Sequence, residues 1–239
     1  MDLINITHIA FDADDTLWGH EDVFVDAKER CLEILGKYLP EGKQLEEELY
    51  RFERKNLQLF GYGVKGFLLS MIETAVELSA GKVSGTEIQR IIDLGKEMLV
   101  HPINLLPYVR EAIDYLEDHF SLLVITKGDL FDQENKIARS GIGHHFPIVE
   151  IVSEKNPKTY RNLLKRHQIP AENFLMIGNS LKSDILPVLK VGGRAIHLPY
   201  THTWMHEKAT PQANDSGYWA PSSLEEAVTA ILGAIAGAK

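Results

Sequence analysis

The sequence predicts an α/β protein, a parallel sheet with helices on both faces that is interrupted by a purely helical insertion. Three observations carry this. Residues 6–11, apolar and β-prone apart from Thr7 and His8, end abruptly in Asp12-Ala13-Asp14-Asp15, as a buried strand running into an acidic loop would. From Asp22 to about Val100, apolar residues recur with the helical period and no strand pattern intervenes. Beyond His101-Pro102, short apolar runs alternate with helical stretches, the pattern of parallel strands joined by crossover helices.

Each element follows from its local pattern. In the helical block, Val25, Cys31, Leu32 and Leu35 mark a first helix, and Leu45, Leu49 and Phe52 a second. Phe67, Met71, Ile72, Val76 and Leu78 mark a third, and Ile88, Ile91, Ile92 and Leu99 a fourth. Residues 60–67, FGYGVKGF, are too glycine-rich for a helix interior and are read as the link between two of these helices. Pro107 suits the first position of a helix whose stripe is Val109, Ala112, Ile113 and Leu116. Strands are then expected at 122–125, 148–152, 174–177 and 195–198, which with the first makes five. Between them lie a polar helix over 132–140 stopped by Gly141, a helix over 157–167, and one over 183–191 stopped by Gly192-Gly193. Residues 199–216 are polar and turn-rich and read as a surface loop. Ser222 and Ser223, each followed three residues later by glutamate, announce a closing helix with Leu224, Ala227, Ile231 and Ile235 on its apolar face. Trp219 and the segment 116–120 are expected in the core.

Composition narrows the function classes. With 239 residues, 44% of them hydrophobic and 25% charged, the chain can bury a large core. The net charge of -9 and the lack of any dense Lys/Arg block argue against a nucleic-acid partner. The single Cys31 sits in an apolar helical stretch and cannot form an internal disulfide, which fits a reducing, cytoplasmic setting. The first 21 residues lack a basic leader and no apolar run approaches the roughly 18 residues that cross a bilayer, so no membrane partner is expected. Monomer and homodimer are both compatible with this composition.

In open parallel sheets, ligands bind beyond the carboxyl ends of the strands. Four of the expected strands end there in reactive side chains: Asp12 and Asp14; Thr126 with Lys127, Gly128 and Asp129; Ser153, Glu154 and Lys155; and Gly178 through Asp184, which includes Asn179. Two carboxylates two residues apart can act as nucleophile and proton shuttle on one centre. A third, Asp184, adds the negative charge that a hard, oxygen-loving cation such as Mg²⁺ requires. The hydroxyl of Thr126 and the ammonium of Lys155 suit phosphoryl oxygens. Phosphoryl transfer asks for this combination, because a dianionic substrate meets an anionic nucleophile only when cations offset the repulsion.

Residues 11–17, FDADDTL, resemble the D-x-D-x-T signature of the haloacid dehalogenase superfamily, and Thr126, Lys155 and residues 178–184 match its remaining motifs in order. The resemblance covers the whole chain. It implies a Rossmann-like α/β core, residues 1–17 and 103–239, and an inserted α-helical cap domain, residues 18–102. It implies a phosphatase in which Asp12 becomes an aspartyl phosphate, while Asp14 protonates the leaving oxygen and then activates water. Mg²⁺ would be held by Asp12, the Asp14 backbone carbonyl and Asp184, with Asn179 direct or one shell out. Thr126, Lys127 and Lys155 would bind a small phosphorylated metabolite, with Lys158 in reserve for Lys155, because the spacing to Tyr160 is one residue shorter than in the usual form of the motif. Hydrolytic dehalogenases of the superfamily typically lack the second aspartate, so Asp14 favours a phosphatase over a dehalogenase. A phosphomutase and a non-catalytic phospho-ligand-binding protein are the other readings of the same fold. Asp15 stands where glycine is most common, and Asn179 where many members have aspartate.

Weaker signals have plainer readings. Residues 18–21, WGHE, occupy the position of a flap leading into the cap and are read as packing between cap and core. Tyr62 and Lys65, in the glycine-rich link, are the specificity candidates of the cap. His202 and His206 mimic a zinc pair but lack further ligands and read as surface loop, and His144-His145 reads as a helix-to-strand connection.

Overall fold

The strands β1 (His8–Phe11), β2 (Ser121–Lys127), β3 (Ile148–Val152), β4 (Phe174–Gly178), β5 (Arg194–His197) and β6 (Tyr218–Trp219) form one sheet in a computed structural model that describes residues 3–39, 44–201 and 218–237. All pairings are parallel and the order is β3-β2-β1-β4-β5-β6. The chain winds outward from β1 through β2 to β3, then returns to the other side of β1 for β4, β5 and β6. This reversal puts the switch point of the sheet at the carboxyl end of β1, where loops diverge and leave a crevice.

The period of two along each strand sorts side chains to the two faces. On one face, Ile9, Phe11, Val124, Leu175, Ile177 and Ile196 share a core with helices α5 (Val109–Glu117) and α9 (Leu224–Ala236), and with Ile137 of the intervening α6 (Leu130–Arg139). On the other, Ala10, Leu123, Ile125, Met176 and Ala195 pack with Tyr160, Leu163 and Leu164 of α7 (Pro157–Arg166) and Val188 of α8 (Leu186–Leu189). Strands β1, β2 and β4 are buried on both faces, hence their near-continuous apolar runs.

The chain divides into two compact units. One comprises residues 1–21, 103–127 and 134–239, and the other residues 22–102 with 128–133. The second is built on α1 (Glu21–Leu35) with α2 (Leu45–Phe60), α3 (Val64–Leu78) and α4 (Gly85–Val100). Its core gathers Cys31, Leu35, Leu49, Phe67, Met71, Ile91 and Leu94. Ser84 caps α4 in a reciprocal box with Glu87. Among the described residues, no helix is long and apolar enough to cross a membrane.

The structure departs from the sequence reading at several elements. A sixth strand appears at the edge: two residues are too short for a periodic signal, and Trp219, expected in the core, is a half-buried edge residue. Pro107 precedes its helix rather than opening it, because Tyr108 takes a left-handed conformation (φ 66°) as the N-cap. Gly66, expected in a linker, lies inside α3, where the Gly61 carbonyl approaches to 2.8 Å of where a Cβ would stand. Leu32 and Val76, on the expected apolar stripes, are exposed. The helix expected over 183–191 begins as a wide π-type turn, Leu181–Ile185, before α8. The units divide after Glu21 rather than after residue 17, and residues 128–133 go with the helical unit. The 202–206 histidines and most of the expected 199–216 loop lie outside the described residues.

Candidate active site

The registers of the sheet set the site. Phe11 pairs with Val124 on one side and Ile177 on the other, so Asp12 leaves the central strand between the ends of β2 and β4. The Asp12 N–H still donates to the Ile177 carbonyl at 2.9 Å, which fixes the residue to β4. Asp12 and Asp184 are brought together by Lys155, which comes from the loop after β3. The Lys155 ammonium donates to Asp12 Oδ1 in a short contact and to Asp184 Oδ1 at 2.7 Å. Lys155 is 4% exposed and Asp184 is fully buried. Burial pushes the Asp12 carboxyl up to about 7, with Lys155 pulling it down and Asp184 pushing it further up. Burial also works to neutralise Lys155, but the two carboxylates overcome it and hold the ammonium above its ordinary range.

Asp184 sits on the wide turn after β4. Its Oδ2 accepts the Ser180 N–H at 2.9 Å, and its own N–H donates to the Ser180 carbonyl at 2.8 Å. Gly178 makes this possible, since a Cβ there would lie 2.4 Å from Asp184 Oδ2. The buried Tyr160 hydroxyl donates to the Ser183 carbonyl at 3.0 Å and ties α7 to the same turn. Lys127, at the end of β2, donates to Ser183 Oγ at 2.9 Å. Thr126 is buried at the carboxyl end of β2. The Thr16 hydroxyl lies 3.4 Å from Asp12 Oδ2 and 3.5 Å from Asn179 Oδ1. The Asn179 carbonyl contacts His197 Nε2 at 3.0 Å, and burial lowers the pKa of that histidine.

Asp14 is held separately. Lys136 donates to both its oxygens at 2.8 Å, and Trp18 Nε1 donates to Oδ1 at 2.8 Å. His20 Nε2 lies 3.6 Å from Oδ2. Sequence reasoning missed Lys136. Its signal was the polarity of α6, a helix that buries Asp132, Gln133 and Lys136 where an apolar stripe is usual. The residue after Asp14 explains itself: Asp15 takes the left-handed conformation (φ 61°) that glycine would adopt. Its Oδ1 accepts the His20 and Glu21 N–H groups at 2.7 and 3.1 Å, capping α1. Burial pushes its carboxyl up to about 7 against those two hydrogen bonds.

The remaining expected residues are placed differently. Lys158 is exposed on α7, away from the buried cluster that Lys155 joins. Tyr62 is half-buried between α2 and α3. The Lys65 ammonium is paired with Asp129 Oδ1 at 2.8 Å and lies over the Phe131 ring. His144 and His145 stack at the helix-to-strand connection, and His145 also accompanies Glu117. The carboxylates of Asp12 and Asp184, the Asn179 amide oxygen and the Asp14 backbone carbonyl are all oxygen donors, the chemistry that suits a hard cation such as Mg²⁺. Both Asp184 oxygens are engaged, by Lys155 and by the Ser180 N–H.

A family model described as haloacid dehalogenase-like hydrolase matches residues 6–192. Among curated proteins, a glyceraldehyde 3-phosphate phosphatase of Methanopyrus kandleri is 23% identical over 192 residues, spanning 78% of this chain and 81% of that protein. Among solved structures, a haloacid dehalogenase-like family hydrolase from Xanthomonas campestris is 40% identical, with a TM-score of 0.85 over 98% of this chain and 94% of that one. A HAD-hydrolase of Bacillus subtilis, solved bound to magnesium, shares the fold at 17% identity, with a TM-score of 0.62 over 95% of this chain and 99% of that one.

Proposed function

The chain belongs to the haloacid dehalogenase-like hydrolase family, and on that footing we propose that it is a Mg²⁺-dependent phosphomonoester hydrolase that acts on a small phosphorylated metabolite through an aspartyl phosphate on Asp12. The observation that carries this reading is the buried Asp12–Lys155–Asp184 cluster at the carboxyl end of the central strand, with a second carboxylate, Asp14, two residues on. The relative from Methanopyrus, named as a phosphatase of a three-carbon phosphate ester, supports the substrate class.

In this reading an Asp12 oxygen attacks phosphorus as the bond from phosphorus to the leaving oxygen breaks. Asp14 gives that oxygen its proton. The resulting Asp14 carboxylate then takes a proton from the water that attacks the aspartyl phosphate, which releases phosphate and restores Asp12. Thr126, Lys127 and Lys155 bind the phosphoryl oxygens. Asp12, the Asp14 carbonyl, Asp184 and Asn179 would hold Mg²⁺, which when bound would offset the charge of the dianionic ester. The helical unit serves as the cap and sets specificity, with Tyr62 and Lys65 as its candidate contacts. Lys65 must exchange Asp129 for substrate to play that part.

The test is hydrolysis of p-nitrophenyl phosphate and of a panel of phosphorylated metabolites that includes glyceraldehyde 3-phosphate. Activity is expected to vanish with EDTA, to return with Mg²⁺, and to be absent in Asp12→Asn. Turnover retained in Asp12→Asn would reject the nucleophile. Halide release from haloacids, or phosphate transfer without free phosphate, would favour the other chemistries of the fold.

A further inference from the structure

Two lysines serve two aspartates in this site, and only one of them belongs to the motifs. Lys155 engages Asp12. Lys136, 4% exposed in the second turn of α6, engages Asp14 through both carboxylate oxygens at 2.8 Å. Asp14 Oδ1 takes a second donor, the indole N–H of Trp18 at 2.8 Å. Trp18 is itself immobilised: it is 1% exposed, its carbonyl accepts the Asp15 N–H at 2.7 Å, and its backbone bridges to both Asp14 and Leu105. His20 Nε2 lies 3.4 Å from the Lys136 ammonium.

A buried ion pair is a weak way to gain stability, because desolvation of the two ions offsets most of their attraction and an apolar replacement often does as well. A lysine directed inward from a helix that packs against the sheet therefore calls for a reason other than stability. The geometry supplies one. A proton-transferring carboxylate must stay within hydrogen-bond reach of the leaving oxygen, and small displacements cost large factors in rate. Asp14 lies on a loop, and its side chain is fixed by donors from α6 and from the rigid Trp18 segment.

We infer that Lys136 is a positioning residue for the proton transfers of Asp14, acting with the Trp18 indole to hold the carboxylate in its working orientation. When Asp14 delivers its proton to the leaving oxygen, the carboxylate left behind stays anchored by the same ammonium and indole, ready to accept the proton of the attacking water. This inference rests on the phosphatase reading and assigns a role within it that none of the motif residues fills.

The experiment compares kcat/KM for an alkyl phosphate, whose alkoxide needs a proton to leave, with that for p-nitrophenyl phosphate, whose phenolate leaves without one. Lys136→Met is expected to lower the alkyl value about tenfold or more beyond its effect on the nitrophenyl ester, as weakened general acid catalysis would. Lys136→Arg should recover part of that difference, and Trp18→Phe should show a smaller loss with the same preference. In an Asp14→Asn background, Lys136→Met should no longer change the ratio, since residues that act through one another are not additive. Equal losses on the two esters, or none, would overturn the inference. So would a ratio that still changes without Asp14. If Lys136→Met does not fold, Lys136→Arg and Trp18→Phe decide by the same ratio. Wild-type protein inert toward both esters would instead reject the phosphatase reading, and this inference with it.

Discussion

Replacing Lys155 with methionine removes the one positive charge that, among the described residues, contacts both Asp12 and Asp184, and leaves two carboxylates facing each other in a buried site. Methionine fills a similar volume, so the effect is electrostatic. Removing one partner of a buried pair typically costs about 3–5 kcal/mol. For a chain of this size each kcal/mol moves the midpoint by about 2–4 °C, so a fall of about 6–20 °C is expected at pH 7.5. The pH dependence has a definite sign. Without Lys155, the folded-state pKa of Asp12 rises further above the ordinary 3.8 of an aspartate. A carboxylate raised in the folded state favours folding when protonated, so its destabilising effect grows as pH climbs from about 4 toward the raised value. The variant should therefore lie closest to wild type near pH 5 and furthest from it near pH 8. Thermal denaturation across that range, with Lys158→Met as the exposed control, measures both quantities. A midpoint within about 2 °C of wild type at pH 7.5, or a deficit that shrinks as pH rises, would refute the claim that Lys155 neutralises this cluster.

Gly178→Ala places a Cβ 2.4 Å from Asp184 Oδ2, so the turn must shift; a loss of about 1–3 kcal/mol and a fall of at least about tenfold in phosphatase kcat are expected from denaturation and steady-state assays. Asp15→Asn keeps a residue that tolerates the left-handed conformation and an oxygen to cap α1, but removes a buried charge. Because the Asp15 carboxyl is raised to about 7, its ionised form disfavours the fold increasingly from pH 4 to 7, and the variant's midpoint should gain on wild type over that window. A constant difference across pH would contradict it. Ser84→Ala breaks the capping box of α4 and should cost about 1 kcal/mol without altering kcat, separating the stability of the helical unit from chemistry.

Much of the fold was legible because strands buried on both faces leave unbroken apolar runs and amphipathic helices leave stripes. Residues 122–125 and 174–177 stood out for the first reason, and Ile88 with Ile91 and Leu99 for the second. Elements that owe their existence to tertiary context were not legible. Tyr218 and Trp219 become a strand only because β5 offers an open edge. Tyr108 adopts an unfavourable backbone conformation, which no propensity favours for a tyrosine. The turn carrying Asp184 widens into a π-type turn, with the Ile185 N–H reaching back to the Ser180 carbonyl at 3.3 Å, and nothing in residues 181–185 distinguishes that from an ordinary helix start.

The site divides along the same line. Residues that stand at a strand end, Asp12, Asp14, Thr126 and Asn179, could be located from the sequence, because strand ends are visible and parallel strands deliver their ends to one edge. Lys155 could be narrowed only to itself or Lys158, since the choice depends on which side chain the β3–α7 connection turns inward; Lys155 is the one buried against two carboxylates, and Lys158 is exposed. Lys136 had no strand end to mark it. What sets it apart is that a cation stands on the inward side of a helix that packs on the sheet, and an inward cation is affordable only opposite an anion, here Asp14. The search for such residues in related chains therefore belongs on the buried faces of helices that look too polar for their position, not in the motifs themselves.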